Sequence, residues 1–549
     1  MPLTYRRPGV YLEESLLVNP AEVSGAVTVA CFIGAAQQGP INEPTLIEAW
    51  SDYVALFGGF GSFPVPDDAG AVQPSALSYL PYTVYSYFQS GGRTCYIIRA
   101  VPSDDTKDGS HAEVEVNGAD TEATSLVAFN IQAKSVGTWG NTVKYNIARQ
   151  NPGSEEESVF ALQVILRNSE GADEVVETFP TLSIKGQLPG TRKIDAVIND
   201  PFSGSQYISV RNVNEDQLEP EDTTTPVYLA GGIDPALPDA ADLQSTAQLV
   251  SKVEGPIALN IVGYLNDASK AESGEAAQAF VGTTIPSSFF TDRQDIFIIN
   301  DNAPPRQPGQ SSSGYKSLIQ NSSALGSNLG DSYSASYGPW IIIPNPQRVG
   351  TTISVPPGGA VAGVMARIDA TVGVFRAPAG VIAGISNAVG VQTKFTDTEL
   401  GDLNANNVNM IRAVVGAGIA IMGARTRKSY GADRYVSPRR TLIYIKEVLK
   451  RSTQFAVFEN NDQRLWSALR MSADRILRPL WEAGGLRGNN PSEAYFIRCD
   501  DTINTPTVIQ SGEVRMEVGV ALEYPAEFII IRVTQFDRAT FTSEVQPIA

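Results

Sequence analysis

QFAVFENNDQRLWSALRMSADRILRPLWEAGGLRGNNPSEAYFIRCDD runs from Gln454 to Asp501, and EVRMEVGVALEYPAEFIIIRVTQ from Glu513 to Gln535. The first stretch predicts a helix opened by Asn461 or Asp462, whose short side-chain acceptors suit free backbone N–H groups. Leu465, Trp466, Leu469, Ala473, Ile476, Leu477, Leu480 and Trp481 recur at three- and four-residue steps and gather on one face. Gly484-Gly485 ends the helix. From Glu513 to Leu522 the residues alternate, with Val514, Met516, Val518, Val520 and Leu522 on one side of a strand. Tyr524-Pro525 turns the chain into a second apolar strand, Phe528 to Val533. One helix followed by three strands makes an α+β module over 431–535, and nothing in it is arranged for chemistry.

Outward from this module the organisation changes. Residues 23–101 and 226–430 read as one α/β core domain, with buried strands Ala26–Gly34, Cys95–Val101, Pro256–Val262, Asp295–Asn300 and Pro339–Ile343. Helices are expected at Ser51–Phe57, Ser75–Ser90 and Asp239–Val253. Between the two halves, 102–225 shows short alternating strands such as Val143–Ala148, Val159–Arg167 and Tyr207–Val210, an inserted β-rich domain. Residues 303–336 are rich in Ser, Gly, Asn, Gln and Pro and read as a surface loop. At the ends, 1–22 and 536–549 are extended arms. The β-prone Val10, Tyr11 and Leu12 stand among Pro2, Pro8 and Pro20 with no strand nearby to pair with, and Phe536 and Phe541 mark the other arm.

With 549 residues the chain needs several cores, and an apolar content of 42 % is ample for them. Its formal charge of −18 argues against direct nucleic-acid binding, which needs a basic surface. The charge is uneven. Residues 104–222 hold 9 basic against 21 acidic side chains, a net of −12, whereas 437–535 hold 13 against 12, a net of +1. An acidic insertion facing solvent and a neutral module facing partners account for the contrast, and so does simple solubility. Cys31, Cys95 and Cys499 are far apart, so neither a disulfide framework nor a zinc site is indicated, and folding in a reducing cytoplasm is expected. No apolar run reaches eighteen residues, so no membrane insertion is expected.

Catalysis finds little footing. A serine triad needs a histidine, and the single one, His111, lies in SDDTKDGSHAEVE, where it reads as a solvated loop residue. No G-x-S-x-G elbow and no phosphate-binding G-x-x-x-x-G-K-[ST] loop occur. Gly416, Gly418 and Gly423 miss the dinucleotide spacing because Ile421 stands where a glycine is required, so VVGAGIAIMG reads as a glycine-rich buried strand. No catalytic, cofactor or metal site is expected. One constellation remains: on the helix after Asp462, Arg464, Arg475 and Arg478 fall on the face opposite the apolar stripe. Either they form a solvated face, with Glu482 pairing Arg478, or they contact an acidic partner.

The same C-terminal block resembles the closing domain of contractile tail sheath proteins. Further matches follow in order: TYRRPGVYLEE (Thr4–Glu14) is similar to the family's N-terminal arm, GTWGN (Gly137–Asn141) to its GxWGN segment, VPPGGAVAGVMARIDATVGVFRAPAG (Val355–Gly380) to its Pro-Pro to Pro-Ala run, and NMIRAVVGAGIAIMGART (Asn409–Thr426) to its Gly-Ala-Arg-Thr stretch. The resemblance implies a subtilisin-like α/β core. It also implies a structural subunit that polymerises with itself as stacked rings or a helix around a tail tube protein, between baseplate and tail-terminator proteins. Such a subunit contracts without a nucleotide, belongs to a virion tail sheath and is assembled in the host cytoplasm. Arg464, Arg475 and Arg478 then become tube-facing candidates. Two other readings stand beside it: an α/β hydrolase with a β-rich binding insertion, and a static tail or baseplate component.

Overall fold

The computed structural model describes residues 28–60, 79–102, 109–119, 126–150, 159–167, 172–187, 190–200, 203–216, 220–235, 238, 240–262, 293–301, 311–322 and 332–527. Val10, Tyr11, Leu12, Phe536, Phe541 and the expected strand Phe528–Val533 lie outside them.

Strands such as Val29–Gly34 (VACFIG) and Ile257–Ile261 (IALNI) are almost wholly apolar, as strands covered on both faces must be. They lie in an eight-stranded sheet whose order is Thr45–Ile47, Cys95–Arg99, Val29–Gly34, Ile257–Ile261, Ile296–Asp301, Ser334–Gly338, Val408–Val414, Gly418–Met422. The six inner strands run parallel, and each edge strand is antiparallel to its neighbour. Phe32, Ile97, Phe297 and Tyr337 face a core shared with the helices Leu80–Gln89 and Gly358–Thr371. On the other face Cys31, Ile33, Leu259 and Ile298 meet Leu243 and Ala247 of the helix Ala240–Gln248.

Two elements fall where the composition of 303–336 reads as loop. The helix Ser312–Ser322 buries Tyr315 and Ile319 against Leu403, Val408 and Met410. The strand Ser334–Gly338 (SASYG) is buried throughout, inside the large sheet. Small polar residues fit there because two strands and two layers close over them, which local composition does not register. The expected strand near Pro339 is Ile341–Pro344, in a separate three-stranded sheet with Thr352–Val355 and Gly390–Val391.

The insertion is built from a three-stranded sheet (Glu113–Asn117, Val127–Ala133, Ile208–Arg211) and a five-stranded one (Val227–Tyr228, Lys144–Arg149, Phe160–Arg167, Asp173–Ser183, Arg192–Lys193). Phe129, Ile131, Ile147, Phe160, Leu162 and Ile194 fill the space between them. Its end lies later than the composition suggests, because Val227 and Tyr228 pair with Tyr145 and Lys144, and Ile233 bridges back to Ser110. GTWGN is the joint. Trp139 is buried in the insertion core, and Asn141 exchanges two hydrogen bonds with the backbone of Gly232, at 2.9 and 2.8 Å. Gly140 has to be glycine, since a Cβ there would stand 2.8 Å from both Ala112 and Ala133 side chains. The buried guanidinium of Arg99, on a core strand, donates to the carbonyls of Gly39 (3.0 Å) and Val136 (3.2 Å) and so ties insertion to core.

In the C-terminal module the helices Val436–Ser452 and Gln463–Glu482 pack over an antiparallel pair, Tyr495–Arg498 with Glu517–Val520. The alternation from Val514 to Leu522 is realised: Met516, Val518, Val520 and Leu522 all pack into the module core. Only two of its three expected strands fall within the described residues. No helix among these residues is long and apolar enough to cross a membrane.

Candidate functional site

The place where an α/β sheet usually holds a ligand is the carboxyl end of its strands. Here Asn260 and Asp301 end adjacent parallel strands beneath the start of the helix Gly358–Thr371. Asp301 accepts from the Gly358 amide at 2.6 Å and from Asn260 Nδ2 at 2.9 Å. Burial pushes its carboxyl up to about 6, against the lowering effect of those two donors. The helix sits too close for a substrate. A Cβ on Gly358 would fall 2.3 Å from Asn260 Nδ2, one on Gly359 2.0 Å from the Thr83 carbonyl, and one on Gly363 2.4 Å from that of Tyr87. The PPGGAVAG run is thus a packing surface. His111 lies in the insertion, half-buried, with Nδ1 2.7 Å from the Ala133 carbonyl, and is not the solvated loop residue expected. Gly416 and Gly418 form the turn of a β-hairpin with positive φ, 84° and 66°, where the sequence reads as continuous buried strand. A cleft of about 490 Å³ beside that hairpin is lined by Arg367, whose guanidinium is already engaged by the carbonyls of Ser90, Ile382 and Gly384.

The helix Gln463–Glu482 presents a different kind of surface. Asp462 caps it, accepting from the amides of Arg464 (2.8 Å) and Leu465 (3.0 Å), while Asn461 instead accepts from Trp466 Nε1. Arg464, Arg475 and Arg478 are exposed together, as the wheel places them. Arg478 pairs with Asp474 at 3.2 Å, one turn earlier, instead of with Glu482, and this pairing holds its guanidinium above the ordinary range. Arg464 and Arg475 have no ion-pair partner among the described residues. Arg470, off this face, turns inward to the Cys499 carbonyl and to Ser467 Oγ. Sequence reasoning missed the apolar members. Met471 falls amid the arginines and is 63 % exposed, and Phe455 and Phe458, in the connection before the helix, are 48 % and 88 % exposed. Phe458 also holds φ at +68°, rare for a bulky residue. Exposed Phe, Met and Arg are the residue types enriched at protein interfaces.

A third feature is the joint between core and module, built from the GARTRK stretch. Gly423 packs on the backbone of Asn409, whose side chain accepts from the Arg425 amide (2.7 Å) and donates to the Arg425 carbonyl (2.7 Å). Asp433 is buried between Lys428 (3.1 Å) and Arg439 (2.9 Å), and Arg440 makes a two-pronged pair with Asp369 of the core helix. The Arg425 side chain pairs with Glu527 at 2.7 Å. Beside this joint, Tyr495–Arg498 and Glu517–Val520 pair only with each other among the described residues, leaving an outer edge on each strand.

In comparison with known proteins, residues 317–427 match the phage tail sheath protein central domain and residues 432–536 the phage tail sheath C-terminal domain. No curated protein matches the chain. Among solved structures, the helical sheath of the anti-feeding prophage in its contracted state is similar in fold, with 21 % identity over 97 % of this chain and 100 % of that one and a TM-score of 0.52. A sheath tail protein from Listeria innocua aligns with 12 % identity over 88 % and 91 % of the two chains and a TM-score of 0.57. The six-fold symmetrised baseplate of the anti-feeding prophage aligns with 20 % identity over 97 % and 100 % and a TM-score of 0.53.

Proposed function

We propose that this chain, which carries the central and C-terminal domains of the phage tail sheath family, is the subunit of a contractile sheath that polymerises around an inner tail tube and shortens to drive it forward. The ordered pair of domain matches is the observation that carries this reading. The large sheet is taken as the subtilisin-like layer of that family, with its ligand end closed by packed glycines. The reading is mechanical. A strand added to an open sheet edge is held by directional backbone hydrogen bonds, so copies joined through residues 1–22 and 536–549 can rotate as rigid bodies without parting. Head-to-tail contacts of this kind do not close on themselves and generate helical filaments. The energy of contraction is then stored at assembly. Arg464, Arg475 and Arg478 face the tube, where exposed ion pairs are individually weak enough to release and numerous enough to set register. The acidic insertion faces outward, because like charges repel when packed around a ring. Baseplate and terminator proteins bound the polymer at its ends. Negative-stain microscopy of the purified chain tests the reading: long hollow polymers are expected, and a monodisperse particle would overturn it in favour of a static component or a hydrolase.

A further inference from the structure

The connection between the two long helices of the C-terminal module holds an aromatic residue at a position that favours glycine. The Glu459 amide donates to the Ala456 carbonyl at 3.3 Å, and Val457 has φ −70° and ψ 123°. Phe458 follows with φ +68°, so residues 456–459 form a type II turn, whose third position ordinarily takes Gly or Asn. Ala456 packs against Leu465, Trp466 and Leu469, and the Val457 amide donates to the Gln454 carbonyl, which together fix the turn to its module. The Phe458 ring points into solvent, and the adjacent Glu459 is exposed with no ion-pair partner among the described residues. Backbone strain at a bulky residue persists only where something else requires it, and no contact of the Phe458 ring within the described core clusters supplies that requirement.

The cleft of about 490 Å³ in the core domain has the complementary character. Its walls are short at Gly384, Ala417 and Gly418, and Val381 and Ile382 on its lip are exposed. Val415, at the tip of the adjoining hairpin, is fully exposed. Contiguous exposed apolar surface of this kind marks a protein contact site. Arg367 is the one charged residue in the lining, and it donates to carbonyls, so its positive charge is solvated but not neutralised. The turn is thus apolar and negative, the cleft apolar and positive. A chain cannot fill its own cleft with its own ring. Asp369, two residues after Arg367, is tied to Arg440 in the opening turns of the helix Val436–Ser452. Phe458 lies beyond the other end of that helix, about 18 Å further along its axis.

We propose that the Phe458 turn of one copy seats in the cleft of a second copy, the ring against Val381, Ile382 and Ala417 and Glu459 beside Arg367. The contact rests on the reading that copies of this chain assemble with one another. Turn and cleft are different surfaces, so a copy that offers its turn keeps its cleft free for the next one, and the contact propagates instead of closing in a pair. The arginine face of the following helix stays available to another partner.

The test uses the full-length chain, read for thermal unfolding and for the concentration above which it polymerises. Phe458→Gly removes the ring and suits the φ of the turn, so its thermal midpoint is expected to equal or exceed that of the parent. Its polymerisation concentration is expected to rise roughly tenfold or more, as when an aromatic anchor of an interface is truncated. Ala417→Trp fills the cleft from within its own chain and is expected to cause a rise of similar size. If the parent polymerises and either variant does so at the parent's concentration, the contact is overturned and the assembly reading stands. A parent that stays monomeric overturns both. Should Ala417→Trp lower the thermal midpoint, Val381→Asp on the exposed lip decides in its place: a rise in the polymerisation concentration supports the contact, and no change overturns it.

Discussion

Two helices of this chain begin under an aspartate, and the two aspartates could hardly be placed more differently. Asp462 stands next to its helix, exposed, and satisfies the amides of Arg464 and Leu465. Asp301 reaches the amide of Gly358 from a strand 57 residues earlier and is buried. Both answer the same need, since the first amides of any helix lack intrahelical partners. The local cap costs almost no desolvation and can be read from the sequence. The remote one costs burial of a carboxyl, and in return it ties a core helix to the sheet. One helix is therefore buried from Gly358 to Met365 and carries the fold, while the other leaves one face exposed.

The sharpest way to break that contrast is steric. Gly359→Val puts a side chain where a Cβ alone already falls 2.0 Å from the Thr83 carbonyl, a backbone atom that cannot swing aside. A loss of about 3 kcal/mol or more is expected, read as a large drop in the denaturant midpoint. Met471→Ala on the other helix should leave that midpoint unchanged, because its side chain is largely in solvent.

What was legible divides along the same line. Local signals survived: the apolar stripe from Leu465 to Leu480, the strand alternation around Met516, and the arginine face. The α/β pattern of the core also survived, because two-sided burial writes itself as unbroken apolar strands. Long-range features did not. Ser334–Gly338 is a strand only because its neighbours enclose it, and Val227–Tyr228 belongs to the insertion only because Lys144 and Tyr145 pair with it. Met471, Phe455 and Phe458 were missed for another reason. An apolar residue off the stripe breaks the periodicity that is being sought, and its exposure emerges only when nothing packs over it.

The exposed face is the next point of attack. Under the proposed function, reversing Arg464, Arg475 and Arg478 to glutamate should spare the fold and still allow polymers of this chain alone. Assembly on the tube should be lost, and that of the parent should weaken with added salt. Normal extended tails from the triple variant, seen by electron microscopy, would show that this helix does not meet the tube.

The remote cap also responds to pH. The folded-state value of Asp301, about 6, lies above the ordinary 3.8, so the folded chain binds more protons than the unfolded one between those limits. Stability contributed by the protonated carboxyl is complete below about pH 4 and is lost as pH rises through 6, by about 3 kcal/mol in all. Asp301→Asn does not titrate. Denaturation measured from pH 4 to 7 should show a shallower decline, or a steeper rise, in the variant than in the parent. Parallel curves for the two proteins would mean that Asp301 does not titrate there.

A small loss of stability is expected at the local cap. Asp462→Ala removes an acceptor from two amides that lie at the exposed end of their helix, where water replaces it. The cost should therefore be that of an ordinary surface cap, about 1 kcal/mol, and not the several kcal/mol that follow when a buried donor is orphaned. Asp462→Asn retains the side-chain oxygen and should recover most of the loss. Denaturant unfolding of the parent and the two variants, followed by the fluorescence of Trp466 and Trp481 on the same helix, measures this directly. A loss as large as that of Gly359→Val would mean that the C-terminal helix depends on its first turn as heavily as the core helix depends on its glycines. The contrast between a helix that carries the fold and one that is free to carry a partner would then collapse.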